Sequence, residues 1–198
     1  MTKSLQRTDA AQVLWDHDNY VILTHVRPDG DTLGCASALC LGLRSLGKNA
    51  YVLANSGVSP RFSWMVEGLT VEDAGENDTV ISTDVASPGM LPDNAQHLLG
   101  RVLLRIDHHG SATSFSDLEL VDPDSASCAE VVFDVLERMG WQRQTEALDR
   151  IYVGLSTDTG CFRFANTTAH TFRVAAACAE GGARVYQLNQ ELFETNTM

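Results

Sequence analysis

Short apolar, β-branched runs alternate along this chain with stretches of helical spacing, and that alternation restricts the fold more than any other feature. Tyr20-Val21-Ile22-Leu23-Thr24 reads as a buried strand, followed by a turn over Arg27-Pro28-Asp29-Gly30-Asp31. Residues 32–46 carry small and apolar side chains at helical spacing, with Gly47 as the C-cap. Further strands are expected at Ala50–Ala54, Asp78–Thr83 and Arg101–Ile106, with a weaker fifth at Leu118–Val121. Short helices are expected at Thr8–Asp16 and Ser59–Gly68. The last third reads as helical. Ser127-Cys128-Ala129-Glu130 has the capping-box form and opens a helix to Met139, with Gly140 behind it. Helices over Thr145–Leu155, Thr167–Glu180 and Tyr186–Glu194 follow. The order predicts an α/β fold, a three-layer sandwich with a mostly parallel five-stranded sheet and helices on both faces.

Composition narrows the function classes. At 198 residues, 44% of them apolar, the chain can build one domain with a sizeable core. Its formal charge of −12 argues against a basic face for duplex DNA, although bound cations can reverse the sign locally. No apolar run approaches the roughly 20 residues of a membrane span, and residues 1–12 lack the apolar core of a signal peptide, so a cytoplasmic location is expected. The 5 cysteines, Cys35, Cys40, Cys128, Cys161 and Cys178, are odd in number and include no Cys-x-x-Cys. That supports neither a disulfide framework nor a thiolate zinc site, and buried thiols in a reducing compartment are expected.

The chemistry lies in where the acids and histidines fall. His25, Asp29 and Asp31 follow the first expected strand, Asp84 the third, and Asp107-His108-His109 the fourth. Ligands of open α/β sheets bind beyond the carboxyl ends of the strands, so three strands bring carboxylates and imidazoles to one edge. Another acidic turn, Ser156-Thr157-Asp158-Thr159-Gly160, ends an expected helix. Taken singly, Asp29, Asp31, Asp84 and Asp158 could each be a turn or cap residue. Converging without counter-ions, they would repel one another and hold on to protons. Divalent cations remove that conflict. Oxygen and nitrogen donors without thiolate suit Mn²⁺, Mg²⁺ or Zn²⁺, and several carboxylates with imidazole favour Mn²⁺. A metal pair roughly 3.5–4 Å apart suits phosphoester hydrolysis. No Gly-x-Ser-x-Gly elbow is present, and Ser111 and Ser114 have no recognisable triad partners.

Four runs carry a family resemblance: His25-Val26-Arg27-Pro28-Asp29-Gly30-Asp31-Thr32-Leu33-Gly34, Thr83-Asp84, Asp107-His108-His109 and Thr157-Asp158-Thr159-Gly160-Cys161-Phe162-Arg163-Phe164. In order and spacing they resemble the four motifs of the DHH phosphoesterases. Among these they look closest to the branch of oligoribonucleases that are also phosphoadenosine-phosphate phosphatases. The resemblance implies a Rossmann-like domain over residues 1–185 that holds two divalent cations, Mn²⁺ foremost, with Mg²⁺ and Co²⁺ as alternatives. One ion would be held by His25, Asp29 and Asp84. The other would be held by Asp31, Asp84, His108 and Asp158, with Asp84 shared and a water or hydroxide between the ions as nucleophile. His109 would sit beside the substrate phosphate, Asp107 would orient the histidines, and Arg163 would contact phosphate or form an ion pair.

The implied substrates are short RNA or small nucleotides, namely 3′-phosphoadenosine 5′-phosphate and linear or cyclic di-adenylate. A homodimer is a further implication. Members of this branch usually add a smaller C-terminal domain with a Gly-Gly-His type motif, which nothing after Asp158 matches. Residues 186–198 are therefore expected to begin an interdomain linker helix, with the substrate-binding domain absent. Two alternatives stay open: a family II-type pyrophosphatase or polyphosphatase, and a non-catalytic nucleotide-binding regulatory domain.

Overall fold

The computed structural model describes residues 2–111 and 113–194. Strands β1 (Lys3–Ser4), β2 (Tyr20–Leu23), β3 (Ala50–Leu53), β4 (Thr70–Val71), β5 (Thr79–Thr83), β6 (Val102–Asp107) and β7 (Leu118–Val121) form one sheet. Every pairing in it is parallel. The order across the sheet is β1-β7-β6-β5-β2-β3-β4. Seven strands thus replace the expected five. The additions, β1 and β4, lie one at each edge, and each has 2 residues, too few to show an alternation in sequence.

The α-helices are α1 (Arg7–Asp16), α2 (Gly30–Ser45), α3 (Cys128–Met139), α4 (Thr145–Asp158), α5 (Ala169–Glu180) and α6 (Val185–Asn189). All side chains of β2 are buried, as in a parallel strand covered on both faces. Tyr20 and Ile22 enter the larger core, which takes in residues of all six helices, whereas Val21 and Leu23 enter a smaller one with Leu53, Leu98 and Val102. The layers are therefore unequal. On the second face the covering element is a 3-10 segment, Asp93–Arg101, rather than an α-helix. No helix among the described residues is long and apolar enough to cross a membrane.

Local signals explain most boundaries. The Ser127 side chain accepts from the Glu130 N–H at the start of α3, and Gly140 closes it with φ of 70°. The helix expected at Ser59–Gly68 is instead a series of tight turns with one 3-10 turn at Ser63–Met65. So short a helix does not recover its nucleation cost. The last expected helix divides into α6 and a π-turn at Gln190–Glu194. Residues 195–198 of the expected linker lie outside the described residues.

Helices α2 and α4 approach through glycines. A Cβ on Gly34 would lie 2.6 Å from the Arg150 carbonyl oxygen, and one on Gly154 would lie 2.5 Å from Ala129 Cβ and 2.8 Å from Asp31 Oδ1. Gly154→Ala is expected to cost about 1–3 kcal/mol of stability, read as a lower urea midpoint. A midpoint unchanged from the parent chain would contradict this packing.

Candidate metal centre

The strand order reverses between β2 and β5: β3 and β4 lie to one side, β6 and β7 to the other. Such a switch point leaves a crevice at the carboxyl ends of its strands. His25, Asp29 and Asp31 come to it from β2, Asp84 from β5, and Asp107, His108 and His109 from β6. Asp158 arrives differently, as the last residue of α4, which runs past its expected end at Leu155. There it sits at the negative end of the helix dipole, a poor place for an anion unless a cation is near.

Each side chain is held by its surroundings. Asp29 caps α2, and its Oδ1 accepts from the Asp31 and Thr32 N–H groups, both at 3.0 Å. Its Oδ2 faces His25 Nε2 at 4.0 Å. Asp31 is buried and accepts from the Cys128 N–H at 2.7 Å and the Ala129 N–H at 2.9 Å, the free donors of the first turn of α3. Burial, with Asp84 and Asp158 nearby, pushes its carboxyl well above the ordinary range, against the pull of those two donors. Asp84 has φ of 57°, a conformation that costs a non-glycine residue of order 1–3 kcal/mol and recurs at functional sites. The Thr32 hydroxyl donates to its Oδ2, while its buried Oδ1 has no hydrogen-bond partner. Burial pushes this carboxyl to about 6 despite the Thr32 bond, and that of Asp158 also upward.

The histidines face this acidic group. His108 Nε2 lies 3.3 Å from Asp158 Oδ2, 3.7 Å from Asp84 Oδ1 and 3.8 Å from Asp31 Oδ2. Its Nδ1 meets the Ser125 carbonyl at 3.3 Å, a bond that needs the proton on Nδ1 and turns Nε2 toward the carboxylates. His25 Nε2 lies 4.0 Å from Asp84 Oδ2. Asp107 is fully buried, and its Oδ1 accepts from the His108 N–H, the His109 N–H and the His109 ring Nδ1 at 2.7, 3.1 and 2.9 Å. Burial works to raise the Asp107 carboxyl, but those bonds outweigh it and hold it low. The Asp107 bond in turn lifts His109, against burial, to about 9. Asp107→Asn is expected to return His109 toward 6.5, with its ring protons titrating lower in an NMR pH series. A midpoint that stays near the parent value would show that Asp107 does not set it.

Three sets of donor atoms each lie within 4.8 Å of one another: His25, Asp29 and Asp84; Asp84, His108 and His109; Asp31, His108 and Asp158. The sets overlap at Asp84 and at His108. Asp84 Oδ1, without a hydrogen bond among the described residues, and the proton-retaining acids around it fit a divalent cation. Arg163 is exposed on the turn after α4, where its Nε donates to the Gly160 carbonyl at 2.6 Å. It has no carboxylate partner among the described residues. Cys35, Cys40, Cys128 and Cys178 are buried thiols and Cys161 is half-buried, none in a disulfide.

Some supporting residues were not read from the sequence. Arg105 is buried, with Nη1 3.5 Å from Asp107 Oδ2 and Nη2 3.1 Å from Glu119 Oε2. A lone arginine within the apolar run Val102–Ile106 was the available signal for it. Thr32 and the Ser125 carbonyl left none.

Comparison with known proteins identifies the family. The family model described as "DHH family, N-terminal domain" matches residues 19–156. The chain is similar to a protein of Thermus thermophilus named bifunctional oligoribonuclease and PAP phosphatase NrnA, with 35% identity over 86% of this chain and 52% of that one. A Bacillus subtilis protein of the same name is 28% identical over 96% of this chain and 61% of its own. The chain thus spans little more than half the length of these relatives. A solved exopolyphosphatase-related protein from Bacteroides fragilis superposes with a TM-score of 0.84 at 23% identity, covering 96% of this chain and 61% of that one. A putative family II inorganic pyrophosphatase of Methanococcus jannaschii gives 0.65 at 18% identity, covering 88% and 60%. These two share the fold. With the family model spanning most of its sheet and helices, the chain belongs to the DHH family and carries that family's N-terminal domain.

Proposed function

We propose that this chain is the hydrolytic domain of a divalent-cation-dependent phosphoesterase acting on short oligoribonucleotides and small nucleotides such as 3′-phosphoadenosine 5′-phosphate. The observation that carries the reading is the overlap of donor sets at Asp84, whose buried Oδ1 lacks a hydrogen-bond partner. The names of the Thermus and Bacillus relatives supply the substrate class. In this reading His25, Asp29 and Asp84 hold one ion, and Asp31, Asp84, His108 and Asp158 hold the second, with Mn²⁺ the best match to the donors. Bound there, the ions supply Lewis acidity and an activated water.

The chain's own groups do the rest. Asp84, in a left-handed backbone conformation, lies in donor reach of His25 and Asp29 and also of His108 and His109, which supports a shared role. Asp107 orients His109 through the bond to its Nδ1, so that the ring can hydrogen-bond a substrate phosphate. Arg163 offers its guanidinium to a substrate phosphate. A linear di-adenylate fits the same chemistry.

The test is turnover of a 5′-phosphorylated dinucleotide and of 3′-phosphoadenosine 5′-phosphate with Mn²⁺, after chelation, and with Mn²⁺ restored. Loss on chelation and recovery with Mn²⁺ are expected. Faster turnover of inorganic pyrophosphate than of either nucleotide, or nucleotide binding without hydrolysis, would overturn the proposal.

A further inference from the structure

Directly after Asp158 the backbone does something unusual. Gly160, Cys161 and Phe162 take φ values of 56°, 59° and 62°, three consecutive left-handed residues of which two are not glycine. The turn is firmly tied. The Arg163 and Phe164 N–H groups both donate to the Thr159 carbonyl, at 2.9 and 3.0 Å. The Asn166 side chain donates to the Asp158 and Ala126 carbonyls, at 3.1 and 2.9 Å, binding the turn to the start of α3. Phe164 is 57% exposed, and the far edge of its ring rests on Gly160. A Cβ at Gly160 would come 2.3 to 2.6 Å from three ring carbons, so only glycine leaves the ring in place. Phe162, by contrast, turns inward between Tyr152 and Phe172, with ring centroids 5.9 and 5.6 Å away.

We infer that Phe164 is a stacking platform for a nucleobase of the substrate, an assignment that rests on the phosphoesterase reading above and deepens it. The neighbouring Arg163 guanidinium, fixed at Nε and without a carboxylate partner among the described residues, suits the phosphate joined to that nucleoside. Every base has a π-face, so one exposed aromatic ring on the turn that follows Asp158 would give affinity with little sequence preference. A base-free phosphoanhydride gains nothing from it. The ring therefore favours nucleotides over pyrophosphate or polyphosphate at this centre.

The test compares kcat/KM for 3′-phosphoadenosine 5′-phosphate and for the same ribose bisphosphate without its base, in the parent chain and in Phe164→Leu and Phe164→Tyr. The parent's preference for the base-bearing substrate is expected to fall about 10- to 100-fold in Phe164→Leu, mainly through KM, and to return in Phe164→Tyr. A second readout needs no turnover: the Phe164 ring protons should shift upfield on addition of adenosine 5′-monophosphate. An unchanged preference in Phe164→Leu overturns the stacking role while leaving the hydrolase reading intact. No turnover of either substrate by the parent overturns the hydrolase reading, and the ring-proton shift alone then decides the stacking role, its absence overturning it.

Discussion

Asp84→Asn is expected to lower hydrolysis by several orders of magnitude and, in the same protein stripped of divalent cations, to raise its melting temperature. Asparagine keeps the Thr32 bond and tolerates the left-handed backbone better than other non-glycine residues. What it removes is the charge. Burial lifts the Asp84 carboxyl from 3.8 to about 6, so the folded chain holds its proton more tightly than the unfolded chain does. The associated stability is complete below the unfolded value and is lost as the pH rises through the folded one. At pH 7.5 the parent therefore carries the full penalty of a buried charge, of order 1–3 kcal/mol, or a melting shift of about 2–10 °C. Near pH 4 the two proteins should melt alike. Calorimetry with chelator at both pH values reads this, and a variant that melts below its parent at pH 7.5 would refute it. Hydrolysis falls because Asp84 is the carboxylate shared by two of the donor sets, and asparagine brings no charge to either.

Saturating Mn²⁺ should raise the melting temperature of the parent, and the gain should shrink as the pH falls from 7.5 toward 5. Cations that bind only the folded chain at about 100 times their dissociation constant add about 2.7 kcal/mol, or roughly 5–10 °C. They need the carboxylates ionised. Asp84 titrates near 6, and Asp31 and Asp158 are also raised, so protons compete for the donors inside this window. Fluorimetry across the pH range is sufficient. An equal gain at pH 5 and pH 7.5 would mean that the ion binds elsewhere.

How much of this was readable beforehand depends on the physical carrier of each feature. Strand ends were readable because apolar β-branched runs stop where an acid or histidine begins, and the switch point then brings those residues together. The start and stop of α3 were readable because capping is local, at Ser127 and Gly140. The edge strands β1 and β4 were not, since 2 residues carry no period and owe their conformation to the neighbouring strand. The end of α4 was misplaced because Thr157 and Asp158 are weak helix formers in isolation, while packing of α4 on α2 carries the helix on. The support of the centre was the least legible. Bonds from Thr32 to Asp84, from α3 to Asp31 and from His108 to Ser125 join residues 52, 97 and 17 positions apart.

The pairing of β1 with β7 bears on how the chain is assembled. Lys3 lies in register with Leu118, and β1 has no other strand beside it. β1, made before the other strands of this sheet, must therefore wait for β7 before it can be placed. Closing so long a loop is entropically costly and slows folding. Until β7 is made, the nascent chain can assemble β2 to β6, the strands that carry all the strand-borne residues of the centre. Only then can the amino-terminal segment close over the edge of β7, where Arg7 bridges Asp122 and Asp134. The order of synthesis thus favours forming the strand-borne part of the centre first and sealing the sheet afterwards.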